Sequence, residues 1–144
     1  MIWNTFAYDG ILPVRFAEAP SAVTTGIIVF AHGSRVESAN QAVRAVAAEL
    51  ARAGPHQHVV AAFLELGQPD LETAVIELSE RGVRRIAVIP YFLTLGTHLE
   101  RDLPRIVEHI SNNHSQLEIS VSPPLDGHPG LLQVLLDRAR EALS

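Results

Sequence analysis

The sequence contains no cysteine and no lysine. The first absence excludes disulfides, thiolate metal sites and a cysteine nucleophile. The second excludes a Schiff-base lysine and the lysine of a phosphate-binding P-loop. Every one of the 11 Lys+Arg positions is therefore an arginine, set against 16 Asp and Glu. A net charge of −5 is the wrong sign for a protein that grips nucleic acid through a broad basic surface, so no nucleic-acid partner is expected. Long apolar runs are missing as well. Gly, Ser and Pro interrupt every charge-free stretch before it reaches the ~20 residues of a membrane span, so no membrane association is expected. What remains is 144 residues with 47% hydrophobic and 19% charged side chains, the composition of one globular domain. Seven histidines in a chain without Cys or Lys are the first chemical signal.

Residues 1–22 read as an N-terminal extension to a domain spanning 23–144. They lack the basic n-region and continuous apolar h-region of a signal peptide, and a cytoplasmic protein is expected. They hold Trp3, Phe6, Tyr8 and Phe16, half of the chain's few aromatics. Docking of this segment onto the domain or a partner is the reading favoured over a solvated tail, because such tails are poor in aromatic rings.

From Thr25 onward two periodicities alternate. Gly26–Ala31 is a short apolar run, as expected of a strand buried on both faces. Ser38-x-x-Gln41 looks like a capping box, and Ala39, Ala42, Val43, Val46, Ala47 and Leu50 follow at helical spacing. Gly54-Pro55 ends that helix. His58–Leu64 predicts a second strand. Pro69 opens a helix with Leu71, Ala74, Val75 and Leu78 on one face, and Gly82 ends it. Arg85–Phe92 predicts a third strand, followed by a helix carrying Leu103, Ile106, Val107 and Ile110. Leu117–Val121 predicts a fourth strand. Pro129 opens a last helix with Leu131, Leu132, Leu135, Leu136, Ala139 and Leu143. Four strand–helix pairs in series imply an α/β fold: a four-stranded parallel sheet with helices on both faces, three layers in a single domain.

In such a sheet, ligands gather at the carboxyl ends of the strands. This rule sorts the histidines. His32, His98 and His128 follow strands, whereas His56 and His58 precede strand two and His109 and His114 precede strand four. His56-Gln57-His58 resembles a metal motif but falls at the far edge, where a surface loop is expected. Glu65, at the end of strand two, joins His32 and His98. His32 lies in Ala-His-Gly33-Ser34-Arg35, directly after a buried strand. His98 lies at the third strand-to-helix junction, in Gly96-Thr97-His98-Leu99-Glu100-Arg101-Asp102-Leu103-Pro104. Thr97-x-x-Glu100 offers a capping box there, and Pro104 suits a first turn, so the regular helix is expected to begin near Asp102. Asp102 either caps that helix or orients His98. Two imidazoles and a carboxylate suit a divalent first-row metal and leave coordination positions open.

Taken in order, these motifs resemble the small CbiX/SirB-type class II chelatases, which insert cobalt, iron or nickel into sirohydrochlorin-type tetrapyrroles. The matching pieces are Ala-His32-Gly-Ser-Arg, Asn40, Phe63-Leu-Glu65 with Pro69, Gly82-Val-x-x-Ile86, Pro90-x-Phe92-Leu, and Gly96-x-His98 with Asp102 and Pro104. They occur in sequence from residue 25 to about 130. The resemblance implies a chelatase-like fold and a homodimer, because the larger relatives look like two such units in one chain. It implies that His32 and His98 bind the metal and that Glu65 is the acidic site residue, as base or as ligand. The metal is substrate, and no organic cofactor is implied. Thr94-Leu95 stands where some relatives carry Ala-His, so a third loop ligand is missing.

Metal insertion must strip water from the ion, bend the macrocycle and remove two pyrrole N–H protons. His32, His98 or Glu65 can accept protons. The acidic protein must bind a polycarboxylate through local donors, for which Ser34, Arg35 and helix N-termini are the candidates. The apolar loop Phe92-Leu93-Thr94-Leu95 can pack against the flat ring. A non-catalytic carrier of metal or tetrapyrrole would use the same residues. A phosphoryl-transfer enzyme with His32 as nucleophile would need more cations than Arg35 alone.

Overall fold

The computed structural model describes residues 22–144. The readings placed on residues 1–21, including those on Trp3 and Phe6, lie outside the described residues. Four strands, β1 (Thr25–Ala31), β2 (His58–Phe63), β3 (Arg85–Pro90) and β4 (Glu118–Val121), alternate with α1 (Glu37–Ala53), α2 (Leu71–Glu80), α3 (Thr97–Asn113) and α4 (Pro129–Leu143). All strand pairs are parallel, in the order β2-β1-β3-β4.

That order places the helices. Crossovers between parallel strands are right-handed. The step from β1 to β2 runs one way across the sheet, while the steps to β3 and β4 run the other way. Hence α1 covers one face and α2 with α3 cover the opposite one. Ile28, Phe30, Ile86 and Val88 point to the α2/α3 side, where they meet Leu71, Val75, Leu78, Leu103, Val107 and Ile110. Val29, Ala31, Ala61 and Phe63 point the other way, onto Val43, Ala47 and Leu50 of α1. The β1 run is apolar throughout because both of its faces are buried.

Three helix starts differ from the sequence expectation. α1 begins at Glu37 with Val36 as its cap and no side-chain cap bond, so Ser38-x-x-Gln41 is not a capping box. The Ser34 hydroxyl accepts the Val36 N–H at 3.0 Å, and the chain turns into the helix before Ser38 is reached. α2 is capped by Asp70, whose carboxylate accepts the Thr73 N–H at 2.8 Å; Pro69 precedes the cap. α3 begins at Thr97 and runs through Pro104, with Gly96 as cap. Thr97-x-x-Glu100 is therefore inside the helix, and Asp102 caps nothing. The backbone bond that Pro104 cannot donate would have gone to Glu100, and both residues are exposed, so water can satisfy the freed carbonyl.

The fourth helix stands apart. None of its residues is buried, and Leu132, Leu135 and Leu136 are 62%, 61% and 45% exposed. β4, which precedes it, is largely exposed too. The apolar stripe read in the sequence is present in α4, but nothing in the described chain covers it. No helix among the described residues is long and apolar enough to cross a membrane.

Candidate active site

The strand register brings the loops together. Ala31 lies beside Phe63, and Phe30 beside Pro90, so β1, β2 and β3 end almost level. Strand order reverses at β1, and the loops leaving β1 and β3 diverge to opposite faces. The crevice between them is where open parallel sheets bind ligands. His32 enters from the β1 side. Phe92, His98 and Asp102 enter from the β3 side, and all four line one cavity of about 360 Å³.

The β1 and β2 loops continue the sheet's pairing past its formal end. Leu64 N–H donates to Ala31 O at 2.9 Å, and Glu65 N–H donates to His32 O at 3.0 Å. Gly33 has φ +93°, and a Cβ there would stand 1.7 Å from the Glu65 carbonyl oxygen. Only glycine permits this approach. The result is a close side-chain pair, His32 Nε2 to Glu65 Oε1 at 3.5 Å, with both side chains more than half exposed. Phe92 backs the imidazole edge-on, with ring centroids 6.4 Å apart, and itself leans on Phe30.

One buried polar side chain ties these loops to α1. Asn40 is 2% exposed, and its amide is fully bonded. Its Oδ1 accepts the Ser34 N–H at 2.9 Å; its Nδ2 donates to Ser34 O at 2.9 Å, Leu66 O at 3.0 Å and Glu37 Oε2 at 3.2 Å. Arg44 extends the junction, donating to Glu37 at 2.6 Å and to Gln68 O at 2.9 Å while lying over the Phe63 ring. Hydrogen bonding from Arg44, then from Asn40, holds the Glu37 carboxyl below the usual glutamate range.

The expected site residues fall as follows. His32 and Glu65 meet. His98, in the first turn of α3, faces the same cavity from the other wall. Asp102, one helical turn beyond His98, shares that wall. Among the described residues, no three His, Asp or Glu side chains converge tightly enough to hold one ion. Ser34 and Arg35 sit on the β1 loop beside His32. The Ser34 hydroxyl already accepts from Val36 but keeps its proton to donate. Leu93 and Thr94 are exposed, while Phe92 and Leu95 are half-buried. The Phe92 and Leu93 carbonyls accept from Leu125 and Asp126, which fastens the apolar loop to the chain leading into α4.

Three further histidines have other tasks. His128 caps α4, its Nδ1 accepting the Gly130 N–H at 2.9 Å. His114 faces Glu72 at 3.6 Å. His109 pairs with Asn113 and lines a smaller cavity, about 230 Å³, between α2 and α3. Sequence reasoning marked Asn40 without giving it a role, and it overlooked Arg44. A signal for both was available: a polar pair four residues apart on the helix face that also carries Val43 and Ala47.

Fold and site together define a class: a three-layer parallel α/β protein with imidazoles and a carboxylate around an open crevice at the sheet's switch point. The chain belongs to the CbiX family, whose model matches residues 26–142. It is similar to the sirohydrochlorin cobaltochelatase of Methanosarcina barkeri, at 32% identity over 82% of this chain and 96% of that protein. Its fold matches the crystal structure of a CbiX protein from Marinobacter aquaeolei VT8 with a TM-score of 0.74 and 28% identity, over 83% of this chain and 97% of that one. It also matches the cobalt complex of the sirohydrochlorin chelatase SirB from Bacillus subtilis subspecies spizizenii, with a TM-score of 0.75 and 24% identity. There the match covers 83% of this chain but 51% of the SirB chain.

Proposed function

We propose that this protein is a sirohydrochlorin chelatase, which places a divalent cobalt, iron or nickel ion in the macrocycle and releases two protons. The observation that carries the reading is His32, paired with Glu65 at 3.5 Å and facing His98 across one cavity at the switch point of a CbiX-family fold. In this reading His32 and His98 hold the incoming ion from opposite walls. Two imidazoles leave its other positions free for pyrrole nitrogens. Glu65, within reach of His32, receives the pyrrole protons one at a time as the metal enters and passes each to solvent, to which its side chain is more than half open. A carboxylate on the metal side of the ring also offsets the charge of the ion, which lowers the cost of stripping its water. Ser34 and Arg35 bind peripheral carboxylates of the tetrapyrrole, and Phe92–Leu95 supply apolar surface to one face of the ring.

A homodimer belongs to the same proposal. The chain spans half of the SirB chain it matches, and α4 carries an uncovered row of leucines. A two-fold pair buries such a row twice over and restores the count of two units. The test is apoprotein with sirohydrochlorin and, in turn, Co²⁺, Fe²⁺ and Ni²⁺ under anaerobic conditions, followed by absorbance. Many metallations per protein with at least one ion are expected. A single equivalent per site with every ion would make the protein a carrier and overturn the enzymatic reading.

A further inference from the structure

The site residues stand on loops, and a side chain that touches neither His32 nor Glu65 bonds both of those loops. Asn40 is the one buried polar residue among the described residues. It projects from α1 into the gap between the β1 and β2 loops. Its partners are Ser34, two residues past His32, and Leu66, the residue after Glu65. Both loops are irregular and need such a tie. Gly33 and Leu66 have left-handed backbones, φ +93° and +55°, so neither loop propagates a regular ladder beyond Glu65 N–H to His32 O. Leucine in that region is strained and persists only where neighbouring bonds hold it. The bond from Asn40 Nδ2 to Leu66 O is one that does so.

We infer that Asn40 is a positioning residue, which clasps the β1 and β2 loops together and thereby holds His32 and Glu65 at working distance. This rests on the proposed roles of those two residues. An amide is the group suited to the place. It must accept from Ser34 N–H and donate to the Ser34 and Leu66 carbonyls at once, which neither a carboxylate nor a hydroxyl of that length can do. Burial makes each of these bonds matter, since a partner left unpaired there has no water to turn to. Glu37, fixed by Arg44, takes a share of the same amide and sets its orientation.

Two readouts on the full-length protein test the clasp. The first is cobalt insertion by Asn40→Ala and Asn40→Asp, each with and without Glu65→Gln. Asn40→Asp keeps the side-chain size and the Ser34 acceptor but loses the donors, and thermal unfolding confirms that it is folded. Both Asn40 variants should slow insertion about tenfold, the range seen when the support of a site residue is removed. In their background Glu65→Gln should cost less than about twofold, against about tenfold in the parent, because contacting groups that act as a unit are not additive. The second readout is amide hydrogen exchange without metal or substrate. The Glu65 N–H, which Asn40 does not touch, should lose protection together with the Ser34 N–H. Full multiplicative losses in the cycle, or faster exchange at Ser34 with Glu65 unchanged, would reduce Asn40 to a core residue and overturn the inference. If His32→Ala leaves insertion intact, the site reading falls, while the exchange result still decides the clasp.

Discussion

The two edges of the sheet set charged pairs in different surroundings. At the edge where the strands begin, Arg85 bonds Glu118 at 3.0 Å across β3 and β4, and between two helices His114, at the end of α3, faces Glu72 in the first turn of α2 at 3.6 Å. These pairs tie neighbouring elements together. At the edge where the strands end, His32 and Glu65 also stand 3.5 Å apart, but here the imidazole lines a cavity that His98 and Asp102 enter from the other wall. Groups of the kind that tie elements together elsewhere thus gather around a cavity at this edge. The backbone explains the contrast. Gly33 admits two loops to near-contact, Asn40 absorbs their stray polar groups, and the side chains are released from structural duty.

Removal of the crevice imidazoles should break this contrast most severely. His32→Ala and His98→Ala are each expected to lower insertion at least roughly 100-fold, the scale of losing a group that holds the metal. His56→Ala, at the opposite edge, and His109→Ala, in the neighbouring cavity, should stay within a few-fold. Steady-state insertion rates for the four variants check it, and equal losses in all four would erase the distinction between edges.

Glu65 sharpens the division of labour inside the crevice. Glu65→Gln keeps the shape of the side chain but removes the proton acceptor. About a tenfold fall in turnover at saturating metal, with metal affinity nearly kept, is the expected pattern. Collapse of affinity with turnover preserved would instead make Glu65 a ligand, with the base among the histidines.

Much of this layout was legible in the sequence, for reasons that differ by element. Gly26–Ala31 announces a doubly buried strand because no polar residue interrupts it. Sorting His32 and His98 to the strand ends needs only the alternation of periods, whereas His109 and His114, expected at the far edge, lie against the start of α2 because α3 packs on it. Helix starts were harder. Ser38 and Gln41 have capping chemistry, but the Ser34 hydroxyl acts earlier in the chain, and sequence offers no means of ranking two local caps. Pro104 suggested a late start for α3, yet an exposed helix tolerates it. Convergence between loops was invisible, since the Asn40 clasp joins residues 26 positions apart.

The crevice edge is also where α4 departs, through a loop bonded to the Phe92 and Leu93 carbonyls. A partner seated on α4 would therefore stand beside the site. Leu135→Glu with Leu136→Glu should convert a dimer into a 15.7 kDa species in sedimentation at micromolar protein and reduce insertion several-fold. A parent protein that sediments as a monomer and turns over fully would show that one unit encloses the substrate well enough.

The smallest effect is expected at Asp70, a carboxylate at the crevice edge that behaves like those of the opposite edge. Its carboxylate caps α2 by accepting the Thr73 N–H. Hydrogen bonding from the Thr73 side chain, then from its backbone, holds the Asp70 carboxyl below the usual aspartate range, against a small opposing effect of burial. A depressed folded-state value means that the ionised form is favoured by folding. The contribution is complete above the unfolded-state pKa, near 4, and disappears as the pH falls through the folded-state value. Asp70→Ala should cost about 1 kcal/mol at neutral pH, the usual worth of such a cap, and lower the melting temperature by roughly 3 °C. Insertion by the folded variant should remain within a few-fold of the parent. The stability gap between the two proteins should narrow below about pH 4, as the parent loses what the variant never had. Melting curves from pH 7 down to pH 3 measure this. A gap that persists unchanged in acid would mean that the cap works through packing rather than through the charge of Asp70. A large loss of insertion would move Asp70 from the scaffold into the site, and the line between structural and available carboxylates would have to be redrawn.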